Sequence, residues 1–123
     1  ALEGGWPLVP VPLHRKRQQH RHFNQAEEIS RILAGHAGLP VLKGLQRTRS
    51  TETQTQLTRA QRLENLRGAF ALTGNGQRWI DQSTAGAVLV DDVFTTGSTV
   101  DECAKILRRG GFQKVFVVTV MRG

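Results

Sequence analysis

Short apolar runs alternate along the chain with polar stretches, and the spacing inside the runs switches between a strand-like and a helix-like period. Leu8-Val9-Pro10-Val11-Pro12-Leu13 reads as a short extended segment, because its prolines suit strand ends and loops better than a helix. A basic, histidine-rich loop follows from His14 to His22. Asn24 with Glu27 has capping-box spacing and predicts a helix to about Gly35, with Ala26, Ile29 and Leu33 as its apolar stripe. Pro40 to Leu45 predicts a second strand. Gln46 to Leu57 holds four Thr, three Gln, two Arg and one Ser, with only Leu57 apolar, and reads as a long exposed loop.

Thr58 with Gln61 forms a second capping-box pair, opening a helix that ends near Gly68. Ala69 to Leu72 predicts a third strand, and the turn-rich stretch Gly74 to Gly86 reads as a surface excursion. Ala87 to Val90 is an apolar, buried strand. A helix from about Ser98 to Arg109 then carries Val100, Cys103, Ala104 and Leu107 on its inner face, and Gly110-Gly111 ends it. Lys114 to Val120 is a final strand rich in β-branched residues. Strands alternating with helices predict an α/β fold, a mostly parallel twisted sheet flanked by helices on both faces. Internal repeats and low-complexity tracts are absent.

Composition narrows the class. At 123 residues the chain fits one domain able to bury a core, and its 38% hydrophobic and 22% charged content is that of an ordinary folded chain. No apolar run approaches the roughly 18 residues of a membrane span, and Ala1-Leu2-Glu3-Gly4-Gly5 lacks the regions of a signal peptide. The expected compartment is the cytoplasm. A start without Met, directly ahead of a strand, suggests part of a longer protein. The single cysteine, Cys103, excludes an internal disulfide and a cysteine-based zinc site, and its helix position predicts a buried small hydrophobe. His14, His20 and His22 lack the partners of a transition-metal site, so none is assigned. Trp6 and Trp79 are expected to pack locally.

The net charge is +7, and ten of the 17 Lys and Arg residues fall in two stretches: Arg15, Lys16, Arg17 and Arg21, then Lys43, Arg47, Arg49, Arg59, Arg62 and Arg67. That concentration points to a polyanionic partner, a phosphorylated small molecule or nucleic acid.

In an open parallel sheet, ligands bind beyond the carboxyl ends of the strands. Asp91 and Asp92 stand at that end of an apolar strand, where side chains are expected to cease being buried. Two adjacent carboxylates need hydroxyl donors, a cation or solvent, and the cis-diol of a ribose supplies two donors. Thr95-Thr96-Gly97-Ser98-Thr99 follows, leading into a helix start. Its hydroxyls, free N–H groups and helix dipole suit a phosphate, and Gly97 permits close approach. Together these features describe a ribose 5-phosphate site.

Val88 to Thr99 resembles the signature of type I phosphoribosyltransferases: apolar residues, two acids, then a Thr/Gly/Ser phosphate loop. It departs from the commonest form in having Thr-Thr-Gly-Ser-Thr where many members have Thr-Gly-Gly-Thr. Val9-Pro10-Val11-Pro12-Leu13-His14-Arg15-Lys16-Arg17 and Arg21-His22-Phe23-Asn24-Gln25-Ala26 are similar to the competence-protein ComF/GntX group. So are Arg47-Thr48-Arg49-Ser50-Thr51, Gln54, Leu57, Arg62, Asn65 and Arg67-Gly68-Ala69-Phe70. Members of that group usually carry an N-terminal cysteine-rich zinc module that this sequence lacks. The resemblance thus implies that residues 1–123 are the C-terminal phosphoribosyltransferase domain of a longer protein, with a Rossmann-like sheet.

The resemblance also implies roles. Leu13, His14, Arg15, Lys16 and Arg17 would hold pyrophosphate, Thr95 to Thr99 the 5-phosphate, and Asp91 and Asp92 the ribose. Arg47 and Arg49 would belong to a flexible catalytic loop, Arg47 to Leu57, that closes over the substrates. The implied reaction displaces pyrophosphate from C1 of phosphoribosyl pyrophosphate by a nitrogen acceptor, with Mg2+ held mainly through substrate oxygens. The acceptor is open. Other expected partners are DNA or the competence machinery, and a second copy of the chain. Two rivals stand beside the enzyme: a nucleic-acid-binding component and a phosphoribosyl pyrophosphate sensor without turnover. Neither a Gly-Lys-Ser/Thr phosphate loop nor a helix-turn-helix, zinc-finger or RNA-binding signature is present. A receiver domain would place its paired acids after an early strand.

Overall fold

The computed structural model describes residues 6–12, 25–48, 58, 60, 61, 64, 68–83, 85–92 and 97–120, with Asp92, Ser98 and Val120 described by their backbone only. The elements run β1 (Leu8–Pro10), α1 (Gln25–Ala37), β2 (Leu45–Arg47), β3 (Phe70–Leu72), α2 (Gly74–Gln82), β4 (Gly86–Asp92), α3 (Gly97–Gly110) and β5 (Lys114–Val120). This is an α/β fold built on a parallel sheet flanked by helices.

The sheet has the order β1-β4-β5, with β1 parallel to β4 and β4 parallel to β5. Val41 adds a parallel bridge to Leu8 on the other side of β1. The expected strand from Pro40 to Leu45 is therefore split. Val41 joins the main sheet, while Leu45 starts β2, which pairs antiparallel with β3 in a separate two-stranded sheet.

The long exposed loop expected from Gln46 starts later than the sequence suggested. Gln46 pairs with Ala71 and Arg47 with Phe70, and Thr48 N–H donates to Ala69 O at 2.6 Å. Polar side chains did not prevent a strand here, because the backbone ladder satisfies the peptide groups regardless of side chain. The remainder of that loop, residues 49–57, lies outside the described residues, as does the basic stretch 13–24 with Asn24. Gly74 to Gly86 is also corrected: its first part is the helix α2. Thr73 caps it, its hydroxyl accepting from Gly76 N–H at 3.0 Å and donating to Lys43 O at 2.7 Å. Ile80 is buried in the core with Trp79 packed against it.

Other expectations hold. Thr58 and Gln61 make the reciprocal capping-box bonds, Thr58 N–H to Gln61 Oε1 at 2.9 Å and Gln61 N–H to Thr58 Oγ1 at 3.1 Å. Helix α1 runs two residues past Gly35 and stops at Gly38, whose φ of 69° is the left-handed cap conformation. Its stripe differs in detail: Ala26 is buried, Ile29 and Leu33 are half-buried, and Ser30 is fully buried with its hydroxyl donating to Ala26 O at 2.8 Å.

One face of the sheet packs on α3. Val9, Val11, Ala87 and Leu89 share a single core cluster with Cys103, Ala104 and Leu107, joined by Phe70, Ile80 and Phe112. The other face carries Leu8 and Val90, buried outside that cluster, where α1 packs over β1 and β4. No helix among the described residues is long and apolar enough to cross a membrane.

Candidate functional site

The apolar run Ala87 to Val90 forms the central strand, and β4 continues through both acids rather than ending before them. Asp91 pairs across the ladder with Thr119, and Val11 N–H donates to Val90 O at 2.9 Å. Because β1 and β4 are parallel neighbours, the chain leaves both at the same sheet end. Pro12 and Asp92 are the last described residues before the two departing segments.

Asp91 is 1% exposed, which corrects the expectation that burial ends before the acid pair. Strand alternation explains this: Asp91 shares a face with Ala87 and Leu89, the face that α3 covers. A carboxylate removed from water this completely is tolerated only among polar partners, and Asp91 does have interactions. Five residues after Asp92, α3 begins at Gly97, and Thr99 in its first turn is 5% exposed. The N-terminal end of a 14-residue helix, the positive end of its dipole, thus lies at the same sheet end as the acids of β4.

Cys103 lies one turn beyond Thr99 and is fully buried. Its thiol is pushed up to about 12, first by burial and further by the negative charges of Asp91 and Glu102, against the lowering effect of Arg47. Arg47 from β2 and Asp91 from β4 are therefore close enough for their charges to act on the same buried thiol. The Arg47 guanidinium is fixed over the Phe70 ring, 4.9 Å from its centroid, and Phe70 belongs to the core cluster of Cys103.

Of the residues singled out from the sequence, the fold gathers Asp91, Arg47 and Thr99 around the first turns of α3. Asp92, Gly97 and Ser98 are placed by backbone at the same sheet end. Leu13, His14, Arg15, Lys16, Arg17, Arg49, Thr95 and Thr96 lie outside the described residues. Arg47 is a strand residue rather than a loop residue, because its pairing with Phe70 anchors it. Sequence reasoning missed Phe70 as the support of Arg47. It assigned Cys103 only a packing role, although its spacing of four from Thr99 put it beneath the helix start. Among the described residues no group of three or more His, Cys, Asp or Glu could hold a metal ion.

Comparison with known proteins finds one group of relatives. The chain is 38% identical over 111 residues to "Competence protein F" of Haemophilus influenzae, covering 89% of this chain and 47% of that protein. It is 37% identical over 117 residues to "DNA utilization protein YhgH" of Escherichia coli K12, covering 94% and 48%. "Competence protein ComFC" of Bacillus subtilis is 28% identical over 116 residues, covering 94% and 44%. The chain is similar to ComF-like competence and DNA-utilisation proteins. It spans about half the length of the curated relatives it matches. No protein-family model matches this ComF-like chain, and no solved structure matches it significantly.

Proposed function

We propose that this ComF-like domain binds phosphoribosyl pyrophosphate and transfers its phosphoribosyl group to a nitrogen acceptor, releasing pyrophosphate. The observation that carries the reading is the acid end of β4. A buried carboxylate, Asp91, stands at the carboxyl edge of a parallel sheet, next to the exit of β1, with a helix starting six residues on.

In this reading Asp91 and Asp92 accept hydrogen bonds from the ribose hydroxyls. The Thr95 to Thr99 segment and the first N–H groups of α3 receive the 5-phosphate. Leu13 to Arg17, leaving the neighbouring strand, would face the pyrophosphate, with Arg15, Lys16 and Arg17 supplying charge. Arg47, held over Phe70, supplies a positive charge near Asp91, and Arg49, two residues later in the chain, would supply a second. The nitrogen nucleophile attacks C1 as the C1–O bond to pyrophosphate breaks. The bonding pair leaves on the pyrophosphate oxygen, and the acceptor nitrogen then loses its proton. Enzyme groups contribute by positioning and by stabilising charge rather than by covalent chemistry. A Mg2+ carried mainly on the oxygens of the substrate would neutralise charge on the leaving pyrophosphate.

Calorimetric titration with phosphoribosyl pyrophosphate and Mg2+ tests the reading, with ribose 5-phosphate and single-stranded DNA in parallel. Saturable binding of the pyrophosphate, tighter than of ribose 5-phosphate, is expected; heat from DNA alone would refute it. A second reading, direct contact with DNA, is favoured by the net charge of +7 and by the names of the relatives. Exposed Arg108, Arg109 and Lys114 lie at the sheet end opposite Asp91, where a phosphate backbone would not meet the acids.

A further inference from the structure

Parallel sheets are normally covered by helices on both faces. One helix spans about two strand spacings, since strands lie about 4.8 Å apart and packed helices 8–10 Å apart. On the face opposite α3, helix α1 covers β1 and β4, and the strip over β4 and β5 carries no helix among the described residues.

That strip is apolar. Phe116 is 57% exposed and Val118 36%, although both stand in a regular seven-residue strand between Lys114 and Val120. Register places Phe116 beside Val88 and Val118 beside Val90, on the same face as Leu8. The flanks of α1 can be distinguished. Glu27 pairs with Lys43 Nζ at 2.9 Å, so its flank faces outward past β1, where Val41 adds its bridge. At about 100° per residue, Ile29 and Ile32 come round on the opposite flank, toward β5. Ile32 is 55% exposed. A slot therefore runs between α1 and β5, with Ile29 and Ile32 on its wall and Val88, Phe116 and Val118 on its floor.

Trp6 closes the lower end of this slot. Its ring stacks on Phe116 at 5.2 Å between centroids, and it lies over Gly86, where a Cβ would come within 2.7 Å of the indole. The described chain thus enters β1 from the floor of the slot. In the curated relatives the matched part is only 47–48% of the polypeptide, so a stretch of comparable length accompanies it there.

We propose that the slot between α1 and β5 is the docking site of an amphipathic helix from that accompanying stretch. Apolar floor and wall would meet the helix's apolar side, while the outer flank of α1, with Glu28 and Arg31, stays in water. The docked helix would complete the cover of the sheet on the face opposite Asp91.

The test compares this chain alone with chimeras in which it replaces the matched half of the Haemophilus competence protein F or of Escherichia coli YhgH. Hydroxyl-radical footprinting reads Phe116 and Ile32, with Val117, exposed on the α3 face, as the internal control. In a folded chimera Phe116 and Ile32 should lose most of their labelling while Val117 keeps its own. F116S in the chimera should restore labelling of Ile32, and it should lower the melting of the chimera by more than it lowers that of the chain alone, where only the Trp6 stack is lost. Equal labelling of Phe116 in both chimeras and in the chain alone would overturn the proposal. So would sedimentation of the chain alone as a dimer with Phe116 and Ile32 already protected, because a second copy would then be the occupant.

Discussion

The Arg47 guanidinium lies 4.9 Å from the centre of the Phe70 ring, so a cation whose charge acts on Cys103 in α3 is held by an aromatic residue of the adjacent strand. A cation over a ring contributes about 0.5–1 kcal/mol at exposed sites and more when desolvated. F70L should lower stability by about 1–2 kcal/mol, combining lost packing and the lost ring contact. F112L changes the same core without touching Arg47 and serves as the control. Phosphoribosyl pyrophosphate affinity should fall in F70L and not in F112L; equal effects in the two would remove Arg47 from the site.

The thiol of Cys103 gives a pH signature. Burial pushes its pKa in the folded chain up to about 12, above the ordinary thiol value of 9.0, so the folded state keeps a proton that the unfolded chain gives up. The stability due to this difference is complete below about pH 9 and is lost as pH rises toward 12. Denaturant unfolding of the wild type minus that of C103A should therefore decline across that window, by up to about 1.4 kcal/mol per pH unit. A flat difference would show that the thiol is not desolvated. Alkylating reagents at neutral pH should leave Cys103 unmodified until the chain unfolds.

At Gly86 the constraint is steric. A Cβ there meets three atoms of the Trp6 indole at 2.7–2.8 Å, so G86A must displace the ring. The expected cost is about 1–3 kcal/mol, with a red shift of Trp6 emission, measured in a W79F background. G86A combined with W6A should cost less than the sum of the two single changes; full additivity would contradict the packing.

Thr73 carries two bonds with one hydroxyl, the cap of α2 and the link to Lys43 O. T73A should destabilise by about 1–2 kcal/mol, whereas T73S should cost much less. A thermal transition unchanged in T73A would argue against α2 as a capped helix.

These elements show where the sequence was legible. The final strand is found residue for residue from Lys114 to Val120, because β-branched residues bounded by Gly and charge leave few alternatives. Helix α3 differs from expectation by one residue at each end, its inner face being a clean 3.6-residue stripe. Helix α2 was missed because Gly74 and Gly76 depress helix propensity, yet Gly76 is needed where a Cβ would meet Gly44 O at 2.7 Å. The Thr73 cap was the readable signal. Strand β2 was missed because Gln46 and Arg47 carry no apolar pattern, and only β3, more than twenty residues away, makes them a strand. At the site, the order of apolar strand, acids and small residues was visible in the chain. The burial of Asp91 and the seat of Arg47 on Phe70 depend on which sheet face α3 covers, which no local pattern encodes.

The most direct measurement is calorimetric titration of the D91N/D92N double variant with phosphoribosyl pyrophosphate and Mg2+, beside a parallel titration with single-stranded DNA. The variant keeps side-chain shape while removing two negative charges, and its cooperative thermal transition establishes that it is folded. If the carboxylates hold the ribose, sugar-phosphate affinity should fall by about 1–3 kcal/mol, the scale of lost charged hydrogen bonds. DNA affinity should stay level or rise, because net charge increases by two from +7. Undiminished phosphoribosyl pyrophosphate affinity in the folded variant would contradict the ribose assignment, and with it the phosphoribosyltransferase account of this domain.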